Sequence, residues 1–470
     1  MTEAPLILWF RRDLRLSDQP MLAAAVATGR PLLPVLVLDP ETEALGAAAK
    51  WRLGLAVEAF QRALAGIGLR LILRRGAALA VLQGLAGEVG AAGVWWSRLY
   101  DPVAVARDTA VKAALKAGGM DARSFAGHLL QEPWEVETGT GGFYRVFTPF
   151  WRAIRGRDVA SPEPAPKSAR GLADWPKGDD LAAWRLDRAM QRGAAVVARY
   201  QHVGEAAALA KLADFLETRV DGYAAARDLP GVQGTSRLSE NLTYGEIGPR
   251  MIWHAGMRTF QNGHQDAETF LREIGWREFS YHLIHHTPHI TTANWKPEWD
   301  SFPWRGDNPE AEAWRRGMTG EPFVDAAMRE MFVTGTMHNR GRMIVASYLS
   351  KHLMTDWRVG SGWFDECLTD WDPAANAMGW QWAAGSGPDA SPYFRIFNPA
   401  TQVEKFDADR AYRHRFVAEL SRTPGQDALA FFDAVPKSWG LDRTAPYPAP
   451  LVDLAAGRMR ALAAYGARNS

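Results

Sequence analysis

A single cysteine in 470 residues, Cys367, leaves no intramolecular disulfide and no multi-cysteine metal centre available, which fits a reducing compartment. No uncharged apolar run approaches membrane-spanning length, and Met1 to Leu6 lack the basic stretch and apolar core of a signal peptide, so a cytoplasmic protein with no membrane partner is expected. An excess of one charge is missing too. The formal net charge is +1, which excludes a globally basic nucleic-acid binder. From Thr235 to Arg342 acidic residues slightly outnumber basic ones, so polyelectrolyte binding would need residues such as Arg227, Arg258 and Arg340 segregated on one surface. No internal repeat is visible. No Gly-x-Gly-x-x-Gly follows the first apolar run; Arg11-Arg-Asp-Leu-Arg stands there instead, so a dinucleotide fingerprint is absent.

What is present is a long, folded chain: 47% of residues are hydrophobic, and the length predicts two or three domains. Short, branched, unalternating runs at Leu6 to Phe10, Leu32 to Leu38, Leu69 to Leu73 and Val94 to Trp96 read as strands buried on both faces. Helical patterns at Pro20 to Ala27, Lys50 to Leu64 and Leu79 to Glu88 separate them, so residues 1–130 form a Rossmann-like, doubly wound parallel α/β sheet. Residues 131–199, with Ser161-Pro-Glu-Pro-Ala-Pro, read as a connector over the surface. Residues 200–470 read as all-α, with helices over Ala206 to Thr218, Gly245 to Ala255, Ala267 to His285, Pro309 to Gly317, Pro322 to Thr334, His338 to Thr355, Trp363 to Thr369 and Pro373 to Ala383.

The 20 tryptophans concentrate in this second half. Asp370-Trp-Asp-Pro-Ala-Ala-Asn-Ala-Met-Gly-Trp-Gln-Trp is the densest stretch. Asp372 before Pro373 is a helix start, which puts Asn376 and Trp380 on one side of the helix. Such a segment suits either a pocket for a flat, polar-edged ligand or a buried aromatic cluster behind an N-cap. Thr235-Ser-Arg-Leu-Ser offers hydroxyls, amides and a guanidinium, as a phosphate needs, and is equally a helix cap. Glu273, Trp276 and Arg277 share a helix face, either as a site wall or as a solvated ion pair over a tryptophan. Asn339 and Met343 lie one turn apart; with Trp276 and Trp382 they would form a slot for a planar, carbonyl-bearing heterocycle. Trp304, Trp357 and Trp380 share no local motif and read alone as core. His282, His285, His286 and His289 lack nearby acidic or cysteine ligands and read as a polar helix end, with no metal expected.

Six segments in order, Trp9-Phe-Arg-Arg-Asp-Leu-Arg-Leu, Thr235-Ser-Arg-Leu-Ser, Trp276-Arg-Glu-Phe, Met337-His-Asn-Arg, Asn376 with Trp380-Gln-Trp, and Tyr393-Phe-Arg-Ile-Phe-Asn-Pro, resemble the DNA photolyase/cryptochrome family from residue 6 to about 410. Within it the chain is most similar to cyclobutane pyrimidine dimer photolyases of the class I/III type. The resemblance implies an N-terminal antenna domain and a helical FAD domain. A bent FAD would be held by Tyr223, Thr235, Ser236, Arg237, Leu238, Ser239, Phe270, Glu273, Arg277, Asn339, Arg342, Asp370, Asp372 and Asn376. Asn376 would face the reactive flavin edge, and Trp380, Trp357 and Trp304 would pass electrons inward. Arg227, Glu273, Trp276, Asn339, Arg340, Met343 and Trp382 would meet UV-damaged DNA and its flipped-out dimer, with Glu273, Asn339 and Asn376 taking the catalytic roles.

By the same resemblance a light-driven deoxyribodipyrimidine photo-lyase is expected, acting as a monomer. Members that repair (6-4) photoproducts carry histidines where Asn339 and Met343 stand here. A cryptochrome-type photoreceptor without repair is the alternative, and the short stretch after the last motif disfavours its signalling tail. A generic flavoprotein electron carrier would leave the Glu273, Trp276 and Trp382 wall without a role. Phe270 replaces a common tryptophan, and Glu240-Asn241 is more acidic than in many relatives. A second, antenna chromophore, folate or deazaflavin, is also implied. Tyr100-Asp-Pro-Val-Ala lacks the Asn-Glu pair of some folate-binding members, which leaves another flavin or an empty antenna site open.

Overall fold

The computed structural model describes residues 3–389 and 394–468; Tyr393 of the last motif lies outside them. Five parallel strands, β1 (Leu6–Phe10), β2 (Leu32–Leu38), β3 (Ile72–Arg75), β4 (Gly93–Ser97) and β5 (Asp121–Phe125), form a sheet in the order β3-β2-β1-β4-β5. Every residue of β1, β2 and β4 is buried, because helices cover both faces. The order reverses between β1 and β4, so the crevice of a doubly wound sheet opens beyond Phe10 and Ser97.

Sequence reading found four of these strands. It missed β5, Asp-Ala-Arg-Ser-Phe, because an edge strand keeps polar residues: Asp121 holds the Trp95 indole N–H at 3.0 Å, and Arg123 faces solvent. It missed the helix Pro102–Ala117, capped by Asp101, for a similar reason. It also began β3 too early; Leu69 and Leu71 are buried ahead of the strand rather than within it.

The connector expected at the surface contains the helix Phe147–Ile154, whose apolar residues Phe147, Phe150, Trp151 and Ile154 recur at i, i+3, i+4 and i+7 and are buried against the helix Ala267–His286. In the helical half, Ala267–His286, Pro322–Thr334 and Pro373–Ala384 lie close to their expected bounds. Others move. The helix placed at Gly245 starts at Pro249, the proline supplying a preset first helical turn. The helix expected to run from His338 to Thr355 is Asn339–Ser347 followed by one π turn, Tyr348–His352. The one expected at Trp363 begins at Trp357, capped by Asp356.

The sheet unit and the helices share a buried boundary. Arg52, on the helix Ala47–Gly66, pairs with Glu246 at 2.7 Å with both side chains fully buried. Tyr244 donates its hydroxyl to the carbonyls of Ala49 and Thr369. Gly245, at φ +65, lets the chains touch: a Cβ there would lie 2.1 Å from the Arg12 carbonyl oxygen.

Candidate functional site

The helix Pro373–Ala384 organises the site. Asp372 caps it, accepting from the amides of Ala374 at 3.1 Å and Ala375 at 2.9 Å, and its second oxygen takes the Tyr281 hydroxyl. The helix packs at once against Ala267–His286, Asn339–Ser347 and Trp357–Cys367. Three helices carrying Glu273, Trp276 and Arg277; Asn339, Arg342 and Met343; and Trp357 thus converge on the one carrying Asn376, Trp380 and Trp382.

Arg342 donates to both Asp370 oxygens at 2.8 and 2.7 Å and to the Met337 carbonyl, which fixes a buried carboxylate beside the helix start. Asn376 turns its amide to Ser361, 3.1 Å from the hydroxyl and 3.2 Å from the carbonyl. Asn339 is exposed and its side-chain amide donates to the Met343 sulfur at 3.8 Å. Tyr223 and Phe270 are buried with Phe215 in one aromatic cluster.

Three arginines are engaged where an open ligand or DNA contact was expected, because each finds an acceptor nearby. Arg227 pairs with Glu273. Burial raises the Glu273 carboxyl while Arg227 opposes that shift. Arg340 pairs with Asp228 at 2.7 Å and lies over the Phe406 ring. Arg277 turns to His128, donating to its carbonyl at 2.8 Å and meeting Nε2 at 3.0 Å.

The slot walls also differ from expectation. Trp276 stacks on Phe147 with ring centroids 3.6 Å apart and planes 9° apart, so one of its faces is already covered. Met378 packs into that same cluster, whereas Met343 and Trp382 pack with Trp380 in another. Trp380 and Trp357 are buried and Trp304 is half-buried. Trp357 donates to the Asn294 side chain at 2.9 Å, and Trp304 to the Ser350 carbonyl at 3.1 Å. Gly360 makes room for Trp380: a Cβ there would lie 2.0 Å from the ring.

The loop from Thr235 to Ser239 fits a polyanionic group. None of its backbone amides and none of the hydroxyls of Thr235, Ser236 and Ser239 bonds to protein among the described residues. Arg237 sits exposed at φ +52, while Leu238 anchors the loop in the core. A row of donors awaiting acceptors is the donor set a pyrophosphate uses. A separate groove of about 590 Å³, lined by Leu209, Leu216, Met251 and Arg258 among others, includes none of the predicted site residues.

The FAD binding domain of DNA photolyase matches residues 270–467 and the DNA photolyase domain residues 6–167. A deoxyribodipyrimidine photo-lyase of Agrobacterium fabrum is 46% identical over 99% of this chain and 98% of its own length. The chain belongs to the DNA photolyase family. The crystal structure of a class III photolyase from Agrobacterium tumefaciens superposes with a TM-score of 0.92 at 45% identity, covering 100% of this chain and 98% of that one. Cryptochrome-2 of Arabidopsis thaliana is 33% identical over 96% of this chain and 77% of its length.

Within this photolyase frame, sequence reading overlooked several site neighbours. Glu278 is buried, accepts from the amides of Leu130 at 2.8 Å and Gln131 at 3.2 Å, and is pushed up to about 7 by burial. His128 is buried against Arg277 and Tyr281, and burial drives it well below the usual imidazole range. Their partners stand some 150 residues away in sequence, so no local pattern signalled them. Phe147 could have been found from the spacing of its helix.

Proposed function

We propose that this photolyase-family chain repairs cyclobutane pyrimidine dimers in UV-damaged DNA with blue light. The carrying observation is the convergence of three helices on Pro373–Ala384, which brings Asn376, Asp372 and Trp380 together, while Glu240 and Thr243, just past the donor-lined loop, bond to Thr369 and the Asp370 carbonyl before that helix. When bound, reduced FAD supplies the photoexcited electron that splits the cyclobutane ring and takes it back afterwards.

The residues hold and orient. Thr235, Ser236, Arg237, Leu238 and Ser239 meet the pyrophosphate; Tyr223, Phe270, Arg277, Arg342, Asp370 and Asp372 shape the surrounding walls; Asn376, its amide nitrogen held by Ser361, offers its side-chain oxygen to the flavin edge. Glu273 and Asn339 hydrogen-bond the carbonyl and imide edge of a flipped-out dimer. Glu273 must share or exchange its Arg227 partner to do so, and Arg227 is then released toward the DNA backbone. Trp276 offers its face opposite Phe147, and Met343 and Trp382 close the other side. Arg340 contributes at the rim. A dimer is already poorly stacked, so extruding it costs at most a few kcal/mol. Trp304, Trp357 and Trp380 relay electrons inward to keep the cofactor reduced.

Residues 1–130 serve as the antenna unit, joined through 131–199 to the catalytic unit 200–470, and a folate or deazaflavin is the second chromophore. The protein works as a cytoplasmic monomer; among the described residues no helix is long and apolar enough to cross a membrane. The deciding experiment is blue-light illumination of reduced, FAD-loaded protein with a dimer-containing oligonucleotide. Restored thymines establish repair. Intact dimers with FAD retained would favour the cryptochrome-type photoreceptor.

A further inference from the structure

Behind the loop 235–239 runs an unbroken hydrogen-bond chain, exposed at Arg237 and buried from Asn241 inward. Lys211, on the helix Glu205–Thr218, donates its ammonium to the carbonyl of Arg237 and to the side-chain oxygen of Asn241 at 3.1 Å. The Asn241 amide donates to Glu246 at 2.6 Å and to the His202 carbonyl at 2.9 Å. Glu246 in turn receives both terminal nitrogens of Arg52, at 3.0 and 2.7 Å, from the sheet unit.

From this geometry we infer that Lys211 is a positioning residue for the cofactor's phosphate loop, anchored through Asn241 and Glu246 to Arg52 of the sheet unit. The inference rests on the reading that residues 235–239 hold the FAD pyrophosphate. Arg237 adopts φ +52, a left-handed conformation that a residue with a side chain keeps only when its surroundings enforce it. Lys211 is the group that enforces it, by gripping the Arg237 carbonyl. In a trans peptide the carbonyl of one residue and the N–H of the next point in opposite directions. Drawing the Arg237 carbonyl back to Lys211 therefore aims the Leu238 amide forward, to the side where an acceptor must stand. The ammonium is charged at neutral pH, although burial lowers it to about 8, with Arg52 and Arg237 lowering it further while Glu240 and Glu246 oppose. None of these four relay residues needs to touch FAD to control its retention.

The test is the rate of FAD release from holoprotein, followed as recovery of free-flavin fluorescence, beside the melting temperature of the apoprotein. Lys211→Met should release FAD about tenfold faster, the effect of losing one charge-assisted hydrogen bond, with the apoprotein melting only slightly earlier because the buried Asn241 oxygen loses its donor. Lys211→Arg should restore most of the retention. Unchanged release in Lys211→Met would overturn the inference, and so would faster release matched by an equally destabilised apoprotein. If Ser236→Ala and Arg237→Ala also leave release unchanged, the loop assignment itself fails and the inference falls with it.

Discussion

Two polar regions of this protein are built in opposite ways. At the carboxyl edge of the sheet, charges are locked to one another: Arg11 donates to Asp108 at 2.7 and 2.8 Å, Arg107 reaches Asp39 at 2.8 Å and Asp108 at 2.9 Å, and Gln19 holds Asp13 at 2.7 Å. Both arginines also lie over the Trp9 ring. In the helical half, the loop 235–239 leaves amides and hydroxyls unpaired among the described residues. The fold would allow a ligand at either place. Paired polar groups give rigidity at the sheet edge, while the loop's solvent-facing donors are free of protein partners among the described residues, as the proposed anion site needs.

The strongest challenge to this contrast is Arg342→Ala. It strands the buried Asp370 carboxylate, and breaking such a pair costs on the order of 3 kcal/mol; the variant should lose FAD during purification and melt earlier, read by flavin absorbance and thermal unfolding. Trp276→Ala comes next. Aromatic stacking contributes ~1–3 kcal/mol per base, so affinity for dimer-containing DNA should fall about 10- to 100-fold, with undamaged DNA bound as before. Equal loss for both DNAs would place Trp276 outside the lesion slot.

A smaller effect is expected from Glu278→Gln. Burial raises this carboxyl from 4.5 to about 7. The unfolded chain therefore releases the proton first, and wild-type stability is fully present below about 4.5 and declines as pH climbs toward about 7. The variant lacks that slope, and the two unfolding free energies from denaturant titration should diverge by ~1–3 kcal/mol across the window. The least effect on the site belongs to Arg107→Met. Distant, unshared sites act independently, so the sheet edge should loosen while FAD release and repair per photon stay within about twofold.

Much of this division was legible in the sequence. Buried strands such as Leu32–Leu38 announce themselves by unbroken branched runs, and Asp372-Pro373 spells a capped helix start. Polar β5 does not, since an edge strand has only one apolar neighbour. The amphipathic period of Phe147–Ile154 was readable but sat inside a Pro- and Gly-rich connector. What no local pattern carries is partnership over distance. Arg227 takes Glu273 across 46 residues, and Arg277 takes His128 across 149, so neither pairing could be read from neighbouring positions. The left-handed turn at Arg237 is equally silent, because arginine gives no sign of positive φ.

Excited-state lifetime measures the central claim most directly. With reduced FAD bound, adding a dimer-containing oligonucleotide should shorten the flavin fluorescence lifetime, and Glu273→Ala should weaken that shortening without releasing the cofactor. A lifetime unchanged at saturating damaged DNA would mean that no electron reaches the lesion and would contradict the account.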